Sequence, residues 1–232
     1  MRNSAIYEPP KVKQVIDNAV PSTVKVLTRN AAGSGFLIGK SKLNDSLVEK
    51  GLIMTNNHVV GDAVTVEVVF HDEDSTLGNV IGRSEILDIA LISINRIPEG
   101  VQPIAFCYGK APQVGEDVVV IGNPTVAKTG FNVTRGIVSS VQGSGLRKEI
   151  ITDAAINAGN SGGPILNYKS EVLGVVSAKI GGIGIDNIGI AIPMTQAIES
   201  MNMEVLPSLS QNNLTYCGNN LTTSGKKTSS EP

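Results

Sequence analysis

Aromatic residues are scarce: 232 residues hold four Phe, four Tyr and no Trp. A core for a chain of this size must therefore be built from Val, Ile, Leu and Ala. Cysteine is nearly absent. Cys107 and Cys217 form no metal-type spacing. Cys107, in the apolar run IAFCYG, reads as a small core residue. Cys217 lies in a polar stretch, so the two are not read as a disulfide, and a reducing compartment is compatible with the chain. Excess positive charge is missing too. A formal net charge of −2 supplies no attraction to nucleic acid or acidic membranes. No Lys/Arg cluster is interleaved with aromatics, which excludes the usual nucleic-acid surface. No run reaches the ~18 apolar residues of a membrane span. The first residues, MRNSAIYEPPKVKQ, lack an apolar stretch of signal-peptide length. As it stands the sequence implies a soluble, cytoplasmic protein; a removed leader would make it extracytoplasmic.

What is abundant is glycine, with 25 residues, interspersed among β-branched runs. That mixture suits short strands joined by tight turns. PPKVKQVIDN, from Pro9 to Asn18, predicts a short helix that Pro21 ends. Strand-like runs then follow: STVKVLT, GSGFLIG, GLIMTNN, VTVEVVF, GNVIGRS and DIALISI. PEGVQP reads as a linker. A second series follows: EDVVVIGN, FNVTRGIVSSVQ, EIITDAAI, GPILN, EVLGVVSAK and GIAIP. No long helical periodicity separates them, which disfavours alternating βαβ units. Six runs on each side of a linker predict two small closed barrels. The boundaries read from this are an N-terminal segment 1–19, a first barrel at 20–97, a second at 104–193, a helix at 194–203 and a polar, disordered tail at 204–232. The helix is predicted from the spacing of Met194, Ala197, Ile198 and Met201. The Asn-x-Thr triplets at Asn132, Asn213 and Asn220 read as chance sequons.

Three short patterns carry chemistry. GNSGGP, Gly159 to Pro164, surrounds Ser161 with glycine. Such a turn can expose a hydroxyl and aim successive N–H groups at one point, as an oxyanion hole requires. The candidate set is Gly159, Asn160 and Ser161, with the amides of Gly159 and Ser161 as donors. TNNHVVG places His58 just after an apolar run, at the end of a probable strand. Histidine can act as a general base near neutral pH. DIALI puts Asp88 ahead of an alternating apolar strand, as a buried acid that would orient an imidazole. Alone, each has an ordinary explanation: a glycine-rich turn, a structural histidine, a strand-capping aspartate. Their order is more informative. His, Asp, Ser is the chain order of chymotrypsin-like triads, unlike subtilisins or α/β-hydrolases. His58 and Asp88 then fall in the first barrel and Ser161 in the second, with the site between them. The other histidine, His71, opens HDED and reads as a solvated hairpin tip rather than a metal site. No metal or cofactor is expected.

PSTVKV, GSGFLI, TNNHVV, DIAL, GNP, TRGIVS, TDAAINAGNSGGPI and GIAIP occur in the order found in HtrA/Deg serine proteases. The sequence resembles that family from Val20 to Pro193. The resemblance implies an all-β fold of two six-stranded antiparallel barrels, a triad of His58, Asp88 and Ser161, and cleavage of unfolded or misfolded polypeptides. It also implies trimerisation through an N-terminal segment, for which Tyr7 in AIYEPP is the candidate. Most members carry PDZ domains. Only 39 residues follow Pro193 (232 − 193), so none is expected here.

By the same resemblance, the floor of the primary specificity pocket lies six residues before the serine, at Ala155. No carboxylate stands there, so cleavage after small or medium aliphatic residues is expected. Ile156, Ile188, Gly189 and Ile190 are the further substrate-binding candidates, with Ile188 to Ile192 pairing with substrate by strand addition. Asp153 is read as structural. Asn160 occupies the position where pancreatic-type zymogens carry an Asp, so no activation by N-terminal cleavage is expected. Two rival readings stand beside the degradative one: a processing enzyme with few substrates, and a chaperone or binding module that keeps the fold. The loops Pro124 to Asn132 and Gly143 to Lys148 are the segments expected to govern assembly of the site.

Overall fold

A computed structural model describes residues 11–42, 49–106, 108–123, 130–145, 147–157, 159–182 and 185–201. Tyr7, Cys107, Cys217, the sequons at Asn213 and Asn220, the tail and most of the 124–132 loop lie outside the described residues.

Each predicted strand run contains one strand. β1 (Thr23–Leu27), β2 (Ala32–Lys42), β3 (Glu49–Thr55), β4 (Thr65–Val69), β5 (Ser75–Ser84) and β6 (Ile89–Ile94) close a first antiparallel barrel in the order β1-β2-β3-β6-β5-β4. β7 (Asp117–Gly122), β8 (Asn132–Gln142), β9 (Glu149–Thr152), β10 (Pro164–Leu166), β11 (Val172–Gly182) and β12 (Ile185–Pro193) close a second in the order β10-β11-β12-β9-β8-β7. The two six-stranded barrels expected from the strand count are therefore present. Closure leaves neither sheet with a free edge to aggregate.

The period-two alternation of the strands sorts their side chains into three cores. Along β6, Ala90, Ile92 and Ile94 fill the first barrel, while Ile89 and Leu91 face the second. Along β7, Val118 and Val120 fill the second barrel, while Val119 and Ile121 face the first. Strands buried on both faces read as unbroken apolar runs, which explains VVVI and IALISI. The shared core between the barrels also takes Phe36, Met54, Leu166, Val175 and Ile192. Its ends are closed by two helices, α1 (Lys11–Ala19) and, near the C-terminus, α3 (Met194–Ser200). Val15 and Ala19 of α1 and Met194, Ala197 and Ile198 of α3 are buried in it. The helix predicted over 194–203 ends at Ser200, with Met201 as its cap; α1 stops at Ala19, before Pro21.

EIITDAAI was expected to be extended throughout, yet β9 stops at Thr152. The Asp153 carboxylate turns back to accept the Ile137 N–H at 2.7 Å, and the Ala155 carbonyl accepts from Thr134 Oγ1 at 2.8 Å. These bonds accompany the departure of residues 153–157 from the sheet. His71 lies exposed in the turn between β4 and β5. Among the described residues, no helix is long and apolar enough to cross a membrane, and no His/Cys/Asp/Glu group has metal-binding geometry.

Candidate active site

His58 is not at a strand end. It sits on α2 (Asn57–Val60), a single helical turn just beyond β3. The turn is forced by its neighbours. Thr55 Oγ1 donates to the Ser34 carbonyl at 2.6 Å, and Val59 and Val60 are buried in the first barrel. At its far end, the Arg83 guanidinium donates to the carbonyls of Gly61 and Ala63.

Asp88 closes the turn between β5 and β6 with φ of 54°, a left-handed conformation uncommon outside glycine but tolerated by Asp. That conformation lets one residue hold α2 from both its ends. Its carbonyl accepts from Asn57 N–H at 3.1 Å and from Asn56 Nδ2 at 2.9 Å. Its carboxylate accepts the His58 N–H through Oδ1 at 2.9 Å, and Oδ2 meets His58 Nδ1 at 2.7 Å. Contrary to expectation, the acid is not buried. Its side chain is 29% exposed and that of His58 is 50% exposed.

The electrostatics follow from these bonds. The hydrogen bond to Asp88 raises the His58 pKa above 6.5; burial opposes this and the carboxylate charge adds to it. Burial pushes Asp88 upward, but bonds from the His58 ring, the His58 N–H and the Ser177 hydroxyl, with the imidazolium charge, hold it below 3.8.

Ser161 lies in the turn before β10, in the second barrel. Its hydroxyl donates to the Ser177 carbonyl at 3.1 Å. The Ser177 hydroxyl in turn donates to Asp88 Oδ2 at 2.9 Å. Ser177, on β11, thus touches both the acid of the first barrel and the nucleophile candidate of the second. Sequence reading missed it, because a Ser in VVSAK carries no local signal of a partner 89 residues away.

The turn around Ser161 needs glycine for two reasons. Gly159 has φ of 94° and Gly162 φ of 84°, and a Cβ at Gly162 would strike the Ser34 carbonyl and Thr55 Oγ1. Among the described residues, neither the Gly159 N–H nor the Ser161 N–H has an acceptor. Asn160 is fully buried, and its side-chain amide has no partner among them. A neutral amide tolerates this far better than a carboxylate would.

The substrate-binding candidates do not all share one surface. Gly189 packs flush against Ile156, which is itself buried in the second barrel, and Ala155 is half-buried beside them. Ile188 and Ile190 alternate to the face of β12 opposite Gly189. Strand addition along β12 is also excluded from Gly189 to Ala191. Both edges are occupied there, by β11 and by β9. A separate cleft of about 480 Å³ opens beside His58, between Thr28–Ala31 and the segment from α2 to Thr65.

A model of the trypsin-like peptidase domain matches residues 33–175, more than half of the chain. The chain belongs to the trypsin-like peptidase domain family. Relatives of this chain are HtrA-type proteases, in line with the motif order. It is 40% identical over 172 residues to the periplasmic serine endoprotease DegP of Escherichia coli K12, covering 70% of this chain and 33% of that protein. It is 35% identical over 156 residues to the serine protease Do-like HtrB of Bacillus subtilis, covering 62% and 33%. The chain thus spans about one third of the length of the curated relatives it matches. The crystal structure of a serine endoprotease from Yersinia pestis superposes with a TM-score of 0.69 at 29% identity, covering 84% of this chain and 67% of that one.

Proposed function

We propose that the chain is a serine endopeptidase acting on polypeptides through an acyl-enzyme, with Ser161 as nucleophile, His58 as general base and Asp88 as its orienting acid. The observation that carries this reading is the 2.7 Å bond between His58 Nδ1 and Asp88, joined through Ser177 to the Ser161 hydroxyl. Rotation of Ser161 about χ1 redirects its hydroxyl from the Ser177 carbonyl to the imidazole. The hydroxyl oxygen then bonds to the scissile carbonyl carbon, and its proton passes to His58 Nε2. The oxyanion is received by the N–H groups of Gly159 and Ser161. The C–N bond breaks as the imidazolium returns its proton to the leaving amine, and water repeats the sequence to release the acid.

In this reading Ala155 is the floor of the pocket for the residue before the cut, and it carries no charge. Small or medium aliphatic side chains fit this; profiling with a peptide library tests it, and a preference for Arg or Lys would overturn it. Unfolded protein is the substrate class in this reading, because the groove receives extended chain. Labelling by a serine-directed organophosphate and digestion of unfolded casein by the uncleaved chain are the direct assays. A chaperone-only protein would neither label nor digest, and a processing enzyme would label yet spare casein. Trimer assembly through the N-terminal segment belongs to the same reading. Light scattering before and after removal of the first ten residues tests it, and a monomer in both samples ends it.

A further inference from the structure

Ser34 lies in β2, in the first barrel, yet its N–H and its hydroxyl both bond to the turn that holds Ser161. It is fully buried. Its N–H donates to the Ser161 carbonyl at 2.8 Å, and its hydroxyl donates to the Gly159 carbonyl at 2.5 Å. The same hydroxyl accepts the Asn123 N–H at 2.7 Å, at the end of β7, while its own carbonyl accepts from Thr55 Oγ1. We propose that Ser34 is a positioning residue for the oxyanion hole: its hydroxyl fixes the orientation of Gly159.

The reasoning rests on the mobility of glycine. At φ of 94°, Gly159 occupies a conformation open to glycine because it lacks a Cβ, and the same lack leaves its backbone easy to rotate. The Asn160 carbonyl is tied to the Gly163 N–H at 2.9 Å. Since a trans peptide points N–H opposite C=O, that bond sets the direction of the Ser161 N–H. The Gly159 carbonyl has one donor among the described residues, the Ser34 hydroxyl. Removing it takes away one of the two bonds on the Gly159–Asn160 peptide, leaving the bond from Asn160 N–H to the Asn157 carbonyl at 3.0 Å to hold ψ of Gly159 alone. It also leaves the part-buried Gly159 C=O and the buried Asn123 N–H without partners. The Asn123 contact also ties the end of β7 to the hole through a single oxygen.

This inference rests on the triad reading above. The test therefore pairs Ser34→Ala with Ser161→Ala in the full chain, assayed with a peptide ester and a peptide boronic acid. Ser34→Ala is expected to lower kcat by ~10²-fold, as loss of one oxyanion donor does. KM should change less than threefold, and the boronic acid should lose affinity in step with kcat. The midpoint of the acid limb of the pH profile should stay in place, because Ser34 makes no bond to His58 or Asp88. Ser34→Cys, similar in size but a weak donor, should fall between the two and covers the case in which the alanine variant does not fold. A kcat within threefold of wild type in a folded variant, or a loss shared equally by kcat and KM with unchanged boronate affinity, overturns the inference. If Ser161→Ala itself retains turnover, the triad reading fails instead.

Discussion

The two barrels contribute unequally to the groove. The first supplies the acid–base pair: Asp88, 30 residues after His58, is bonded to the His58 ring and N–H, and its carbonyl holds Asn57 and Asn56 just before His58, with one further bond from Ser177 of the second barrel. The second supplies a serine whose hydroxyl rests on a carbonyl of its own barrel, in a turn held from outside by Ser34. The acid–base half is thus preorganised by local bonds, whereas the nucleophile half depends on contacts that cross between barrels. Disturbing the packing between barrels should therefore harm the serine and its amide donors before it harms the His–Asp pair.

The largest test of that contrast is Ser161→Ala. If the three side chains act as a unit, turnover of a peptide substrate falls by ~10⁶, while the His58–Asp88 pair, and hence the imidazole titration followed by NMR, stays as in wild type. Wild-type proteolysis by this variant would break the assignment. Asp88→Asn should cost ~10⁴ in kcat. It also removes the bond and charge that raise His58, so the acid limb of kcat/KM, which rises as the imidazole becomes neutral, should shift to lower pH than its wild-type midpoint above 6.5. A midpoint that does not move would mean the carboxylate does not govern the base.

Ser177→Ala sharpens the comparison, because it removes a side-chain link from the second barrel to Asp88. The backbone carbonyl beneath Ser161 remains, so kcat should drop only about tenfold, the worth of one hydrogen bond to a charged group. Rapid-mixing kinetics should place that loss in acylation. The smallest effect concerns stability. The raised His58 pKa gives stabilisation that is full below 6.5 and fades as pH climbs through the folded value. The lowered Asp88 pKa gives stabilisation present above 3.8 that fades as pH falls through its folded value. The pair therefore helps most between these limits. Urea unfolding of wild type and His58→Ala should differ more at pH 5 than at pH 8, by less than about 1 kcal/mol for groups this exposed.

Much of the fold was legible because closed antiparallel barrels write themselves into short β-branched runs, one per strand. The triad candidates were legible because Gly159–Pro164, His58 and Asp88 each carry local chemistry in a diagnostic order. Other features were hidden for physical reasons. β9 ends early because a side chain, Asp153, competes for a backbone N–H across the sheet. β12 looked open to strand addition, but its edges are occupied by β11 and β9 from Gly189 to Ala191. Ser34 and Ser177 gave no sign, since a hydroxyl reveals its partner only when distant segments meet.

The amino-acid sequence alone determined the strand count, the apolar alternation that divides three cores, and which groups are proposed to attack, shuttle a proton and orient. Those depend on residue type and on neighbours one or two positions away. Tertiary structure alone decided which hydroxyl holds which carbonyl, how far the acid is exposed, and which strands occupy the two edges of β12. Each of these is a contact between segments tens of residues apart, and its energy exists only once both barrels have closed and packed.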